Sequence, residues 1–345
     1  MKLLLIRNDN IGDLVSTTPL IECLHKAYPQ ASIDLLGNSY NIEILKYDSR
    51  LTHCWSYCKA KHVINLFLKI KEWLEKMLLL LRLRSYSYDY IIIAIPLFHE
   101  RTLALARWIQ PREAIVGAMP DSPVRSKLPN NYVPLTIDHN KSHALQVLTY
   151  AKALGINLPI PQRVSLMLSD HEKEKALNIR NTFPGPREKP ILGIQISARR
   201  PKQRWPFATW RYLIEQVLPY VRVRLFWSPG LASAQQHPGD DLLAKQLIAS
   251  FPQDAFVAEP IENLRQLMTA LSASDLLLGP DGGAMHVAAG LDLPTLTLFG
   301  DVDPTVWIPY SKKSHVLKSP SDHLEDLLPQ IVIKRTLEIL NLIQT

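Results

Sequence analysis

The sequence predicts an α/β protein made of two doubly wound, parallel-sheet halves. Three observations carry that expectation. Short apolar runs alternate with helical patterns along the chain. Those runs are continuously apolar, as in strands buried on both faces. The alternation stops in a proline-rich, charged interval over 158–190 and then restarts. A chain of 345 residues is long enough for two cores, and 47% hydrophobic with 21% charged residues is an ordinary globular balance.

In order, "KLLLIR" (2–7) reads as a buried strand and "LVSTTPLIECLHKAY" (14–28) as a helix in spite of Pro19. "SIDLLG" (32–37), "DYIIIAIP" (89–96) and "EAIVGA" (113–118) read as further strands, and 61–85 as a long helix. After the interval, strands are expected at 191–196, 222–228, 275–280 and 293–300, with helices at 207–218, 240–251 and 261–273. The chain closes with a helix over 322–343, interrupted near Pro329. The expected divisions are a first domain over 1–165, a linker over 166–189, a second domain over 190–322, and a terminal helical segment over 323–345 that packs back on the first domain. In such sheets ligands bind at the carboxyl ends of the strands.

The net charge of +7 suits anionic substrates or acidic lipid surfaces, and selects neither. Nucleic acid is not expected as a partner, because no basic stripe is interleaved with aromatics. Cys23, Cys54 and Cys58 are too few for a disulfide framework and point to a reducing, cytoplasmic setting. Cys54 and Cys58 are four apart, but no second Cys or His pair completes a zinc set, so no metal is expected there. The start, "MKLLLIRNDN", has too short an apolar run for a signal peptide. Nothing approaches the ~20 apolar residues of a membrane span.

Three strand ends carry candidate chemistry. In "RNDNIGD" (7–13), Gly12 permits a tight turn and Asp13 stands where a helix begins. Asp13 is either a helix N-cap or a carboxylate that takes a proton from a bound hydroxyl, and one residue can do both. In "SARRPKQRWP" (197–206), Ser197, Arg199, Arg200, Lys202 and Arg204 suit a diphosphate, against the plainer reading of a solvated basic loop. In "GPDGGAMHVAAG" (279–290), Gly282 and Gly283 let a ligand approach the backbone. The amides of Gly283, Ala284, Met285 and His286 open a helix that favours phosphate, and Asp281 can accept from sugar hydroxyls. The plainer reading is a capped turn. Asp240 can bind ribose hydroxyls or simply cap helix 240–251. "DVD" (301–303) reads as a turn. The helix over 61–85 carries Lys61, Lys69, Lys71, Lys76, Arg82 and Arg84 among leucines. It reads as a core helix with a basic outer side, or as a helix lying on an anionic membrane.

Three stretches, 3–36, 193–210 and 278–310, together resemble glycosyltransferase family nine, the group of ADP-heptose:lipopolysaccharide heptosyltransferases. The resemblance spans nearly the whole chain. It implies a GT-B fold, with two Rossmann-like domains whose parallel sheets face each other across a cleft. The first would bind the acceptor, a glycolipid or glycan, and the second a nucleotide-sugar donor, probably an ADP-sugar. It implies inverting transfer with no metal and no cofactor, by a cytoplasmic protein peripheral to the inner membrane. Asp13 then matches the proposed base, Asp281 the residue holding the donor sugar, and Gly282 to His286 the phosphate-binding turn. Gln203 stands where the family often has a lysine, so either Lys202 or Arg204 supplies the charge or the donor preference differs from ADP-heptose. A nucleotide-sugar epimerase of the same fold and a non-catalytic nucleotide-binding member are the alternatives.

Overall fold

The computed structural model describes residues 1–57, 66–121, 124–231, 239–252, 254–258 and 260–343, without the side chains of 66–70, 72, 126 and 127. The chain divides into two compact units, Met1–Leu166 and Met167–Thr345.

The first unit runs β1 (Lys2–Ile6), α1 (Ile11–Val15), α2 (Thr18–Ala27), β2 (Ser32–Asn38), β3 (His53–Tyr57), α3 (Leu66–Ser85), β4 (Tyr90–Ile93), α4 (Glu100–Ile109), β5 (Ala114–Ala118), β6 (Tyr132–Leu135) and α5 (His143–Ala153). Its sheet is parallel, in the order β3-β2-β1-β4-β5-β6. β1 lies at the centre, with Leu5 opposite Leu35 on one side and Ile92 on the other. Leu3 to Ile6 are wholly buried, which explains their unbroken apolar run.

The second unit runs α6 (Asp170–Asn181), β7 (Ile191–Gln195), α7 (Phe207–Val217), β8 (Arg222–Phe226), α8 (Asp241–Ser250), β9 (Phe256–Ala258), α9 (Leu264–Leu271), β10 (Leu276–Pro280), α10 (Gly283–Gly290), β11 (Thr295–Phe299), α11 (Pro304–Trp307), β12 (Ser314–Lys318) and α12 (Pro329–Ile339). Its order, β9-β8-β7-β10-β11-β12, repeats the connectivity of the first sheet. Each sheet therefore reverses its winding beside its first strand, between β1 and β4 and between β7 and β10. In such sheets a crevice opens at those points, at the carboxyl ends of the strands. A tryptophan pair, Trp205 and Trp210, packs edge to face in the second core.

Several elements differ from the sequence expectation. β3, β6, β9 and β12 were not foreseen. All four are the edge strands of their sheets, short or of mixed polarity, and their apolar signal is weak. The helix expected over 14–28 is two helices, because Pro19 sits in the first turn of α2, where its missing N–H costs nothing. Pro329 likewise begins α12 rather than kinking a longer helix. The interval read as a linker holds α6. Its Ser169–Glu172 capping box is reinforced by Arg265 on Glu172, and Arg180 reaches Asp275 at 2.7 Å. The terminal segment, expected to pack on the first half, belongs to the second unit. Leu324, Leu327 and Val332 enter its core, and α12 lies against α7. No helix among the described residues is long and apolar enough to cross a membrane.

Candidate active site

The loop after β1 is fixed before any ligand arrives. Asn38 donates its side-chain amide to the carbonyls of Asn8 and Asp9 at 2.8 and 2.9 Å, and Asn8 donates to the Tyr57 hydroxyl at 2.7 Å. α1 begins at Ile11, so Asn10 is the N-cap and Asp13 the third helical residue. The expectation that Asp13 caps the helix and Gly12 makes the turn is thus corrected by one turn of chain. Gly12 is helical, and Asp13 reaches back to the cap. The Asn10 backbone and side-chain amides donate to Asp13 Oδ2 at 3.1 and 2.8 Å.

The other carboxylate oxygen faces two residues that sequence reasoning missed. Arg7, completely buried, holds Asp13 Oδ1 at 3.2 Å and Asp9 at 2.8 Å. It also donates to the Ala94 carbonyl at the end of β4. His143, at the first position of α5, brings Nε2 to 2.6 Å from Arg7 and 3.4 Å from Asp13 Oδ1. Burial pushes the Asp13 carboxyl up. The Arg7 charge, His143 and the Asn10 bonds outweigh it and hold Asp13 below the ordinary carboxylate range. Asp9 goes the other way. Burial, helped by the nearby Asp13 charge, exceeds the pull of Arg7 and raises it to about 6. Two carboxylates share one guanidinium, and their environments drive them apart, the pattern of divided acid and base roles. Arg7 and Asp9 lay within the quoted "RNDNIGD" and were legible as charges. His143 had no signal, since it comes from 130 residues further on. A further polar pocket, lined by Pro96, Met119, Asp121, Arg125 and His139, opens at the carboxyl ends of β4 to β6.

In the second unit the candidates gather at the carboxyl ends of β7, β8, β10 and β11. Ser197 is buried and its hydroxyl accepts from the Ser228 amide at 2.8 Å. Arg204 donates to the Ala198 carbonyl at 2.8 Å and to Asp240 at 2.9 Å. Asp240 precedes α8 at the cap position but makes no capping bond. Burial raises its carboxyl, and Ser197 and Arg204 pull the other way. Arg204 is therefore committed to a structural ion pair. Gln203 is buried and donates to Asp301 at 3.2 Å, while Arg199, Arg200 and Lys202 are exposed. Gly300 lets the β11 end close on this loop, because a Cβ there would meet the Lys202 carbonyl at 2.7 Å. In the "DVD" turn, Asp303 caps α11 by accepting from Thr305 N at 2.8 Å.

β10 delivers Asp281, half-buried, and Gly282, the N-cap of α10. Gly282 is extended, with φ 171°, and a Cβ there would have only the Pro280 carbonyl nearby, at 3.9 Å. Neither backbone strain nor packing requires glycine, so the open space at the start of α10 is the feature it preserves. Gly283 and Ala284 are half-buried at the start of α10. The Met285 amide is already spent on the Gly282 carbonyl at 3.1 Å, and its side chain lies wholly in the core. Of the four amides expected to meet a phosphate, Met285's is thus engaged within the protein. His286 is buried in the same turn.

Two copies of one six-stranded parallel plan, each with charged and polar side chains at its switch point, match the GT-B fold. Residues 78–332 match glycosyltransferase family 9 (heptosyltransferase), and the chain belongs to that family. It is similar to lipopolysaccharide heptosyltransferase 1 of Pseudomonas aeruginosa, 25% identical over 88% of this chain and 80% of that one. Lipopolysaccharide heptosyltransferase 2 of Salmonella typhimurium is 26% identical over 92% and 88%. Among solved structures, a family 9 glycosyl transferase from Veillonella parvula has a TM-score of 0.80 at 18% identity, covering 99% of this chain and 97% of its own. Heptosyltransferase WaaC of E. coli with ADP has a TM-score of 0.78 at 19% identity, covering 98% and 100%. At these identities the structures attest the fold.

Proposed function

We propose that the chain is an inverting, metal-independent glycosyltransferase that moves a heptose from an ADP-linked donor to a lipopolysaccharide core or related glycan, working in the cytoplasm at the inner membrane. The names of the similar Pseudomonas and Salmonella proteins support the sugar and the acceptor, and the E. coli structure with ADP supports the nucleotide. The observation that carries the reading is the Asp13 carboxylate, held ionised at the end of β1 by Arg7, His143 and Asn10.

The acceptor hydroxyl attacks the anomeric carbon, the bond from that carbon to the diphosphate oxygen breaks, and Asp13 takes the hydroxyl proton. Because Arg7 lowers its basicity, Asp13 accepts that proton late, once the forming C–O bond has made the hydroxyl acidic. Charge developing on the leaving diphosphate meets the Gly283 and Ala284 amides and the start of α10. Lys202 and Arg199 supply cations; Lys202, rather than Arg204, replaces the lysine missing at Gln203. Asp281 accepts from donor sugar hydroxyls.

Asp13→Asn tests this. Transfer should fall by about 10²–10⁴-fold, while the thermal shift given by ADP stays unchanged. Unchanged transfer would remove Asp13 as the base. An ADP shift in wild type without any transfer would leave the chain a nucleotide binder. Release of an altered nucleotide sugar with no acceptor present would make it an epimerase.

A further inference from the structure

α3 has apolar side chains on two opposite faces. Leu80 and Leu83 point into the first core beside Tyr88, Ile91 and Leu103, with Met77 partly covered. Leu74, Leu78 and Leu81, spaced i, i+4, i+7, form a row on the other side and are 50%, 65% and 53% exposed. Trp73 is also 61% exposed, but at i−4 from Met77 and i−7 from Leu80 it lies in line with the core-facing stripe and not with the leucine row. The plainer sequence reading, a core helix with a basic outer side, describes only part of this helix, because leucines share the outer side with Lys71, Arg82 and Arg84. Of the basic residues expected there, Lys61 lies outside the described residues, as does the side chain of Lys69. Lys71 flanks the leucine row, with its side chain 71% exposed and Glu75 at 3.9 Å. Arg82 flanks it further along and is 4.8 Å from the centre of the Trp55 ring.

We propose that the outer face of α3 docks the protein on an anionic phospholipid bilayer, with Leu74, Leu78 and Leu81 entering the acyl boundary. Lys71 and Arg82 then meet phosphate headgroups. The charges choose the bilayer over a second copy of the chain. Pairing two such faces would bring together surfaces that are each net positive, Lys71 and Arg82 against the acid Glu75, whereas an acidic leaflet complements that excess. The orientation toward a membrane-held acceptor rests on the proposed function, but docking itself requires no acceptor and is measured without one.

The test is co-sedimentation with vesicles of phosphatidylcholine alone or with 30–40% phosphatidylglycerol, free of glycolipid, a content on the order needed for a strong surface potential. Wild type should bind the anionic vesicles and lose binding as salt is raised. Leu74→Ser/Leu78→Ser/Leu81→Ser should bind at least about ten-fold more weakly. Lys71→Gln/Arg82→Gln should lose roughly five-fold per charge. An unchanged ADP thermal shift in both variants would show that the fold survives. Failure of wild type to bind, or equal binding by the leucine variant, overturns the proposal. So does a concentration-dependent dimer abolished by the leucine changes, which would assign the face to self-association. Transfer to a soluble, delipidated acceptor should be the same in wild type and variants. Its absence in wild type would instead count against the transferase reading.

Discussion

Asp9→Asn is the sharpest probe of the Arg7 cluster. In the folded protein the Asp9 carboxyl titrates at about 6, against 3.8 for an ordinary aspartate, because burial disfavours its charge more than Arg7 favours it. The folded state therefore holds this proton more tightly than the unfolded chain. Stability attributable to Asp9 is full below pH 4 and is lost as pH rises toward 6, after which the penalty is constant. Roughly two units correspond to ~3 kcal/mol, an upper figure for a side chain 28% exposed. Asparagine cannot ionise and escapes the penalty. The variant should match wild type near pH 4 and become more stable by up to ~3 kcal/mol at pH 7.5, a rise of some 6–12 °C in the first unit's melting temperature. Differential scanning fluorimetry in steps from pH 4 to 8 measures this. A difference that is flat with pH, or that grows on acidification, would refute the argument that burial governs Asp9. The same titration should reach catalysis. Protonating Asp9 frees Arg7 to bind Asp13 more strongly, so kcat/KM should fall below pH 6 in wild type and be low and flat there in Asp9→Asn.

Two further outcomes are expected. Gly282→Ala should change stability by less than about 1 kcal/mol, since its backbone is extended and the space before it is open, yet weaken the ADP thermal shift markedly. Equal ADP binding would show that the space is not used. Arg204→Gln should destabilise by about 3 kcal/mol, because it strands the Asp240 carboxylate in the interior. Adding Asp240→Asn should recover most of that loss in a double-mutant cycle, and additive losses would deny the ion pair a structural role.

How much was legible in the sequence depended on how local each signal is. The central strands β1, β4, β7 and β10 could be read because burial on both faces demands continuous apolar residues. The outer strands β3, β9 and β12 hid because an edge needs less. Helix α6 hid inside a charged interval, since its hold on the second unit is through Glu172–Arg265 and Arg180–Asp275, pairs made across ~95 residues of chain.

The sequence by itself determined the parallel α/β class and that Asp13, Asp281 and the glycine pair stand just after strand ends, because strand burial and turn chemistry act over neighbouring residues. Only the tertiary structure decided what surrounds them. It decided that Asp13 shares Arg7 with Asp9 and is reached by His143, that Arg204 is consumed by Asp240, and that α3 turns leucines outward. A charge's partners, and therefore its protonation and availability, are set by whichever distant side chains the fold delivers into the same low-dielectric space.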